Sequence, residues 1–332
     1  MALNITNMFQ IIFSSNIFSY KQVNFFLSQL TEEMDSLHWT RNEVRFSAGR
    51  GTVALTILIM ITITNMLTIL TFKNMRKLQL QQYLIVSLAI LDLVTVLPHL
   101  VVVVGNFKGY LVLNIAICQS IAILNHAVVA VTTWIHCGLC LDKCFSIIKP
   151  IMHKRLVSKL QPVGLAAMYS GSIVAIIFLL MTGVTLTGVI KAEFNPVMAS
   201  CVYAIDLSYC LIVGLLFIFI PLVTALVTHI LIVWEIRKSN VRCKKRIKRA
   251  VKTTALVVGI YYVCWLPYLV FIMFQLFFPK YKMMDIFGFV SADILILNSG
   301  MNFFVYLICN KEFRQSLRMI LRLKRPEVNP EA

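Results

Sequence analysis

The chain has 332 residues, of which 59% are hydrophobic and 14% are charged, and its mean hydropathy is +0.83. This composition excludes a water-soluble globular protein and a disordered chain, because the first needs more charge and the second has less apolar surface. Nine cysteines are too dilute for a disulfide scaffold. A formal net charge of +17 at pH 7 would suit a nucleic-acid-binding protein, so the placement of that charge along the chain decides its meaning.

Seven apolar runs of the chain are long enough to cross a bilayer, which takes about 20 residues of helix. They cover residues 51–72, 81–104, 113–141, 162–186, 203–234, 250–277 and 286–309. Each run is predicted to be a helix, because a helix satisfies all of its own backbone polar groups within lipid. The sequence therefore predicts an all-α integral membrane protein, folded as a seven-transmembrane helix bundle.

The segments between the runs differ in positive charge. Twenty-two Lys and Arg residues lie in segments 73–80, 142–161, 235–249 and 310–332. Only eight lie in the alternate segments 1–50, 105–112, 187–202 and 278–285. Loops that remain in the cytoplasm retain positive charge, which predicts a multi-pass protein of the plasma membrane with an extracellular N-terminus and a cytoplasmic C-terminus. The basic excess is mainly a topology signal, and nucleic-acid binding is not expected.

The ends of the chain complete the predicted organisation. Residues 1–50 are expected to form an extracellular segment, 51–309 the bundle, and 310–332 an amphipathic helix with a short cytoplasmic tail. Asn4 begins an Asn-Ile-Thr triplet, which is a glycosylation acceptor on an exported segment, although such triplets also arise by chance. The amphipathic helix would lie along the inner membrane surface on an apolar stripe formed by Phe313, Leu317, Ile320 and Leu321.

Asp92 places a carboxylate near the middle of the second run, where a charge costs about 2.5 to 3.5 kcal/mol on insertion scales. Polar side chains at similar depth on other runs are Thr132, Asn298, Ser299 and Asn302. Together these groups can hold a sodium ion, because a hard cation accepts carboxylate, hydroxyl and amide oxygens. A hydrogen-bonded structural Asp92 without an ion is the alternative.

A series of motifs follows in order along the runs, including prolines that kink three of them. They are Asn65, Leu88-Ala89 with Asp92, Pro98, Cys118, Asp142-Lys143-Cys144, Pro221, Cys264-Trp265-Leu266-Pro267 and Asn302-Phe303-Phe304-Val305-Tyr306. In order and spacing they resemble the rhodopsin-like family of G-protein-coupled receptors over about residues 50–323. The resemblance implies an extracellular ligand, a heterotrimeric G protein as cytoplasmic partner, and a disulfide between Cys118 and Cys201.

The resemblance also implies a switch on the cytoplasmic side of the bundle. Its members would be Asp142, Lys143, Trp265, Pro267, Asn302 and Tyr306. In the family an arginine pairs with the preceding aspartate at rest and reaches the G protein when active, and here those roles fall to Asp142 and Lys143. A lysine lacks the planar fork of an arginine, so we expect coupling to be inefficient.

Further departures from the family pattern lie mostly in the inner half. Cys144 replaces a tyrosine, Phe303 replaces the proline of the seventh helix, and His229 replaces a tyrosine of the fifth. Either Ser170 or Tyr169 occupies the place of the fourth-helix tryptophan. A protein of the same fold with weak or no G-protein signalling, such as a scavenger or partner subunit, is therefore an alternative.

The ligand class is inferred from two charged residues that certain members of the family carry and this chain lacks. Amine receptors of the family carry an aspartate where this chain has Asn125, and light-sensing relatives need a lysine that residues 286–309 do not contain. The remaining outer residues are expected to orient a small polar ligand or a peptide end. They are Asn125, His126, Asp206, Trp265, Tyr268, Gln275 and Asp293.

Other function classes fit the sequence less well. A transporter or channel commonly shows repeats between two halves of the chain, whereas the number of runs here is odd and no repeat is visible. An enzyme would need a nucleophile with its base, a metal-ligand cluster or a phosphate loop, and no such set emerges. No cofactor is expected apart from the possible sodium ion at Asp92.

Overall fold

A computed structural model of the chain describes residues 39–44, 48–75, 78–238, 241–277 and 283–321. Within these residues, seven helices are long and apolar enough to span a membrane. The spans are Ala48–Lys73, Leu80–Lys108, Ile115–Ile148, Pro162–Leu186, Leu207–Glu235, Ala255–Phe277 and Ile286–Cys309. The predicted fold class is thus confirmed, whereas Asn4 and most of the predicted extracellular segment lie outside the described residues.

Two short strands and a short helix accompany the first four spans. In chain order the elements are β1 (Thr40–Glu43), α1 (Ala48–Lys73), α2 (Leu80–Val94), α3 (Val96–Lys108), β2 (Tyr110–Leu113), α4 (Ile115–Ile148), α5 (Pro150–Leu160) and α6 (Pro162–Leu186). The second span is therefore made of two helices, α2 and α3. The short helix α5 connects the third span to the fourth.

The second half of the chain begins with a hairpin and ends with a short helix. Its elements are β3 (Ala192–Asn195), β4 (Ser200–Tyr203), α7 (Leu207–Tyr209), a π-helical stretch (Cys210–Phe219), α8 (Ile220–Lys238), α9 (Val241–Phe277), α10 (Met283–Cys309) and α11 (Lys311–Ile320). The π-helical stretch stops just before Pro221, which has no backbone N–H to continue the ladder. Pro267, by contrast, lies inside the continuous helix α9.

The break in the second span lies at Thr95, three residues before Pro98. Because Pro98 lacks a backbone N–H, a carbonyl one turn earlier loses its usual partner. Local side chains restore hydrogen bonds around the break: the Thr95 hydroxyl donates to the carbonyl of Asp92 at 2.6 Å, and His99 Nδ1 donates to the carbonyl of Thr95 at 2.6 Å. Such local repair allows a helix to bend within lipid.

Two pairs of antiparallel strands and a disulfide lie at one end of the bundle. Strand β1 pairs with β2, and Val44 beyond it donates its N–H to the carbonyl of Gly109 at 2.8 Å. Strand β3 pairs with β4, in which Cys201 forms a disulfide with Cys118 near the start of α4. The disulfide implied by the family resemblance is therefore present, and it fastens β4 to the third span.

Helix α11 packs against the opposite end of the bundle. Phe313 and Leu317 are buried, and the Phe313 ring lies 5.3 Å from the ring of Phe72 on α1. The Ser316 hydroxyl donates to the carbonyl of Thr71 at 2.9 Å. The predicted amphipathic helix is present with its apolar stripe facing the bundle, except that Leu321 at its end is exposed.

Gly138 sets the closest approach between α4 and α6. A Cβ at this position would collide with the ring of Tyr169. The Tyr169 hydroxyl crosses the gap and donates to the carbonyl of Trp134 at 2.7 Å. Close packing here depends on the missing side chain of Gly138.

We predict that Gly138→Ala destabilises the purified protein by about 1 to 3 kcal/mol, because the Tyr169 ring has to move and loses its hydrogen bond. Gly171→Ala on α6 is the matched control, since its Cβ would meet nothing within 4 Å. The control should be neutral or gain up to about 1 kcal/mol, because Ala favours a helix over Gly. Thermal melting in detergent measures both variants, and equal melting temperatures would contradict the close α4–α6 contact.

Candidate functional site

A cavity of about 360 Å³ opens at the end of the bundle that carries the two strand pairs. Its walls come from α3, α4, strands β3 and β4, the fifth span, α9 and α10. Six of the seven residues predicted to contact a ligand line it: Asn125, His126, Trp265, Tyr268, Gln275 and Asp293. The sequence therefore identified several of the polar and aromatic residues that the spanning helices contribute to the wall.

Asp206 is the exception, and its assignment to the ligand site is wrong. The residue is exposed and is not part of the cavity lining. Its carboxylate accepts a hydrogen bond from the backbone N–H of Tyr209 at 2.8 Å and thereby caps α7. Asp is among the residues that helix N-termini prefer for this role, so the local sequence explains its position without a ligand.

Charged residues of the cavity mouth were missed by the sequence reasoning. Arg50, in the first turn of α1, lies 4.1 Å above the ring of Phe289 and interacts electrostatically with Asp293. Glu193 on β3 also lines the cavity. No hydropathy pattern indicates them, because Arg50 precedes an apolar run and Glu193 belongs to a loop in the sequence.

The wall around His126 is polar but carries no fixed charge. His126 Nδ1 donates to the carbonyl of Ala122 at 2.9 Å, which leaves Nε2 as an acceptor in the neutral ring. The ring lies 4.7 Å from that of Tyr203, whose hydroxyl is 2.6 Å from the Thr185 hydroxyl. Burial raises the pKa of the Tyr203 phenol above its usual value, which keeps it neutral. This wall suits hydrogen bonding to a ligand and offers no ion pair to an ammonium group.

The floor of the cavity reaches the interior polar residues. Thr132, Asn298 and Ser299 line it, and the four residues predicted to surround an ion, Asp92, Thr132, Asn298 and Asn302, are all buried. Ser299 and Asn302 interact with the Asp92 carboxylate. Among the described residues, however, neither oxygen of Asp92 has a hydrogen-bond partner of normal geometry. A buried carboxylate with unsatisfied oxygens is costly, so the site favours an additional oxygen-seeking group.

A second polar contact joins the third and sixth spans at the level of Trp265. The hydroxyls of Thr133 and Tyr261 form a short hydrogen bond, and the ring of His136 stacks on Tyr261 at 4.3 Å. The Tyr261 ring lies 5.8 Å from that of Trp265 at the cavity floor. The sequence analysis did not find this contact, because its two partners are 128 residues apart.

The inner end of the bundle differs from the predicted switch in its ion pair. Asp142 Oδ1 lies 2.8 Å from His153 Nε2 on α5, and the described residues contain no ion pair between Asp142 and Lys143. Asp142 also interacts electrostatically with Lys143, so the expected pairing of these two residues stays a prediction. Helix α5 follows the end of α4 and brings the imidazole of His153 to the carboxylate.

The remaining switch residues lie on α9 and α10. Pro267 lies one turn of α9 from Cys264, and Asn302 is buried on α10. Tyr306 is buried between Phe72 and Phe313, each at a ring distance of 5.9 Å. Phe303 packs against Phe313 at a ring distance of 5.8 Å. Helix α10 is continuous through this position, where the family has a proline.

Comparison with known families agrees with this architecture. The family model of the 7 transmembrane receptor (rhodopsin family) matches residues 64–306, which is well over half of the chain. The chain therefore belongs to the rhodopsin family of seven-transmembrane G-protein-coupled receptors. Members of this family generally bind extracellular ligands and couple to heterotrimeric G proteins.

Individual relatives are similar over short stretches only. An alpha-1A adrenergic receptor of Oryzias latipes is 31% identical over 87 residues, which is 26% of this chain and 18% of that relative. The alpha-1A adrenergic receptor of Homo sapiens is 32% identical over 79 residues, which is 24% of this chain and 17% of that relative. The matches thus cover less than a fifth of the length of these relatives and support the family rather than a ligand.

We predict that Thr133→Val and Tyr261→Phe lower the melting temperature non-additively, because either change removes the same hydrogen bond. A neutral hydrogen bond contributes about 0.5 to 1.5 kcal/mol net, so the loss of stability in the double variant should be smaller than the sum of the two single losses by about that amount. Tyr262→Phe combined with Thr133→Val is the control and should be additive, as expected for groups without a shared bond. Full additivity of the Thr133 and Tyr261 variants would contradict the contact.

Proposed function

We propose that the chain is a cell-surface receptor that transmits the binding of an extracellular ligand to a cytoplasmic heterotrimeric G protein. The observation that carries this proposal is one continuous cavity, which is lined by strands β3 and β4 and reaches Trp265 and the interior polar residues. A ligand in it contacts several spans at once and can therefore favour one arrangement of the bundle over another. The distribution of Lys and Arg supports an extracellular mouth in the plasma membrane, and the disulfide at that end agrees with an oxidising side.

The ligand that best fits this cavity is a small polar molecule or the end of a peptide. Asn125 and neutral His126 supply hydrogen bonds deep in the wall, while Arg50, Glu193 and Asp293 place both signs of charge nearer the mouth. A biogenic amine needs a carboxylate deep in the cavity, and Asn125 provides none. The adrenergic names of the short matches are therefore not extended to this chain.

The cytoplasmic helix α5 supports the transducing half of the proposal. Ile151 and Met152 expose 75% and 55% of their surface, and Lys154 and Arg155 beside them are exposed as well. Apolar anchors surrounded by one sign of charge are typical of a docking surface, in which the charges favour encounter and the apolar groups favour affinity. Such a surface suits a partner with an apolar pocket and an acidic rim.

We further infer that Asp92 binds sodium inside the bundle. The unsatisfied carboxylate oxygens and the nearby oxygens of Thr132, Asn298, Ser299 and Asn302 match the ligand preference of a hard cation. A bound cation would offset the buried negative charge and hold the second, third and seventh spans together. A structural Asp92 without an ion is the alternative.

A receptor fold without G-protein signalling is the second candidate. It is favoured by the inner half, where Lys143 stands in place of an arginine and Phe303 fills the position of the seventh-helix proline. In this second candidate, α10 does not change its conformation when a ligand binds in the outer cavity, and the inner face of the bundle stays closed.

We predict that sodium chloride raises the melting temperature of the purified protein more than choline chloride at equal ionic strength, because an ion that binds only the folded state stabilises it by mass action. Asp92→Asn should abolish the difference between the salts. Asp293→Asn, which removes a carboxylate from the cavity mouth instead, is the control and should retain it. Equal melting of the parent in both salts would leave Asp92 as a structural residue.

For the inner face we predict that Lys143→Arg raises G-protein activation at matched surface expression, because a guanidinium makes more directed contacts than an ammonium. Asp142→Asn should raise basal activity, because it removes the carboxylate that is expected to pair with Lys143 at rest. Lys143→Ala should abolish signalling. Lys311→Arg, an exposed change on α11, serves as the control for a simple gain of arginine. If every variant matches the parent with all G-protein subtypes, the non-signalling candidate is the better account.

A further inference from the structure

Two spans bring opposite charges together on one side of the outer cavity. Among the described residues, those that line the cavity and carry a charge at neutral pH are Arg50, Glu193 and Asp293. Arg50 and Asp293 are half-buried, whereas Glu193 on β3 is exposed. The guanidinium of Arg50 lies 4.1 Å from the centre of the Phe289 ring and interacts electrostatically with Asp293. Phe289 and Asp293 are four residues apart on α10 and therefore share one face of this helix.

The pair of Arg50 and Asp293 has more hydrogen-bonding capacity than one contact between its members uses. A guanidinium has five N–H donors, and each of the two oxygens of a carboxylate accepts more than one hydrogen bond. A bidentate contact between such groups uses two of the donors. The Phe289 ring covers one face of the guanidinium, whereas the donors lie at its edge. Arg50 can therefore hold a second carboxylate, and Asp293 can accept from an ammonium group as well.

The balance of charge on this wall favours a ligand head that carries both signs. A ligand with a single charge would leave an uncompensated ion in a half-buried site, which is costly. A zwitterionic head places its carboxylate against Arg50 and its ammonium against Asp293, and the four charges cancel. Glu193 adds an exposed carboxylate at the mouth, which attracts the ammonium end during the approach of the ligand.

An aromatic ladder on α9 lines the same cavity. Its rings are those of Phe271, Tyr268 and Trp265, with successive ring centres 5.9 and 6.2 Å apart. Phe271 approaches α10 so closely that a Cβ at Gly288 would collide with its ring. The ladder therefore begins beside the residue that precedes Phe289 and continues to Trp265. The aromatic ring of a ligand can pack against the edges or faces of these rings.

We propose that the outer cavity binds a free aromatic α-amino acid. In this arrangement Arg50 holds the α-carboxylate, Asp293 holds the α-ammonium, and the side chain packs on the aromatic ladder of α9. The inference deepens the proposed function and rests on it, because it takes the outer cavity as the ligand site. An end of a peptide keeps only one of the two charges next to its side chain, so the zwitterionic head separates a free amino acid from a peptide.

Three probes that share one aromatic ring test the head group. L-phenylalanine carries both charges, phenethylamine carries only the ammonium, and hydrocinnamate carries only the carboxylate. The melting temperature of the purified full chain in nanodiscs of uncharged lipid is measured with each probe at neutral pH and equal concentration. L-phenylalanine should raise it by about 2 °C or more, and each of the other two probes should raise it clearly less.

Two variants should change the order of the probes in different ways. Arg50→Gln removes the partner of the carboxylate, so L-phenylalanine should lose its advantage over phenethylamine. Asp293→Asn removes the partner of the ammonium, so L-phenylalanine should lose its advantage over hydrocinnamate. The apparent affinity for L-phenylalanine should fall by about tenfold or more in either variant, as expected for the loss of a charged hydrogen bond. Arg50→Lys keeps the charge without the planar fork and should give an intermediate affinity.

Lys191→Gln is the matched control, because Lys191 is exposed at the same end of the bundle and is not part of the cavity lining. This variant should keep the order of the probes. If phenethylamine or hydrocinnamate stabilises the parent as much as L-phenylalanine does, the zwitterionic head is overturned. The absence of any shift with L-phenylalanine, or an unchanged order of probes in the Arg50 and Asp293 variants, overturns the assignment of these residues.

The aromatic part of the proposal has its own probe. L-alanine carries the same zwitterionic head without a ring and should stabilise the parent clearly less than L-phenylalanine, because it cannot pack on the ladder. An equal effect of the two amino acids would overturn the role of the ladder.

A second readout separates this inference from the receptor function. Nucleotide exchange on added G proteins is measured in washed membranes with the same probes. If L-phenylalanine stabilises the chain through Arg50 and Asp293 but changes exchange with no G protein, the inference stands and the proposed transducing function fails. If phenethylamine or hydrocinnamate changes exchange while L-phenylalanine does not, the receptor function stands and the inference fails.

Discussion

Lipid supplies no hydrogen-bond partners, and this constraint shapes every element within the spans. Spanning helices close their own backbone ladders, and where the second span breaks, the side chains of Thr95 and His99 add hydrogen bonds to nearby carbonyls. Hydroxyls along α1 donate to carbonyls one turn earlier, as those of Thr64 and Thr68 do. A polar side chain inside the membrane thus either bonds to its own helix or turns toward the interior of the bundle.

The polar groups that turn inward include His126, Asp92 and the Thr133–Tyr261 pair. His126 belongs to the wall of the outer cavity, the Thr133–Tyr261 contact lies beside Trp265, and Asp92 is buried near Ser299 and Asn302. The last two join different helices by a few directional contacts, whereas the surrounding apolar packing is less specific. Directional contacts can be exchanged for others at small cost, which gives the bundle discrete alternative arrangements. The same groups that lipid forces inward are therefore the ones able to couple the two ends.

The inner half departs from the family pattern, and the structure supplies contacts at some of the changed positions. Phe303 packs on Phe313 where the family has a proline, and Tyr169 bonds to the carbonyl of Trp134 beside Gly138. At the end of α4, Asp142 contacts His153 of α5. These contacts join the ends of α4, α6 and α10 to their neighbours.

The sequence by itself determined the features that depend on local composition. Run length and charge asymmetry predicted the seven spans and a topology, the position of Asp92 in the second run indicated its burial, and the family resemblance implied the disulfide between Cys118 and Cys201. Tertiary structure alone decided that Asp142 pairs with His153, that Asp206 caps a helix, and that Thr133 meets Tyr261. The physical reason is that helices apolar on all faces carry no periodic pattern to show which side turns inward. Contacts between distant spans depend on the tilt and rotation of each helix, and only the packed bundle sets these.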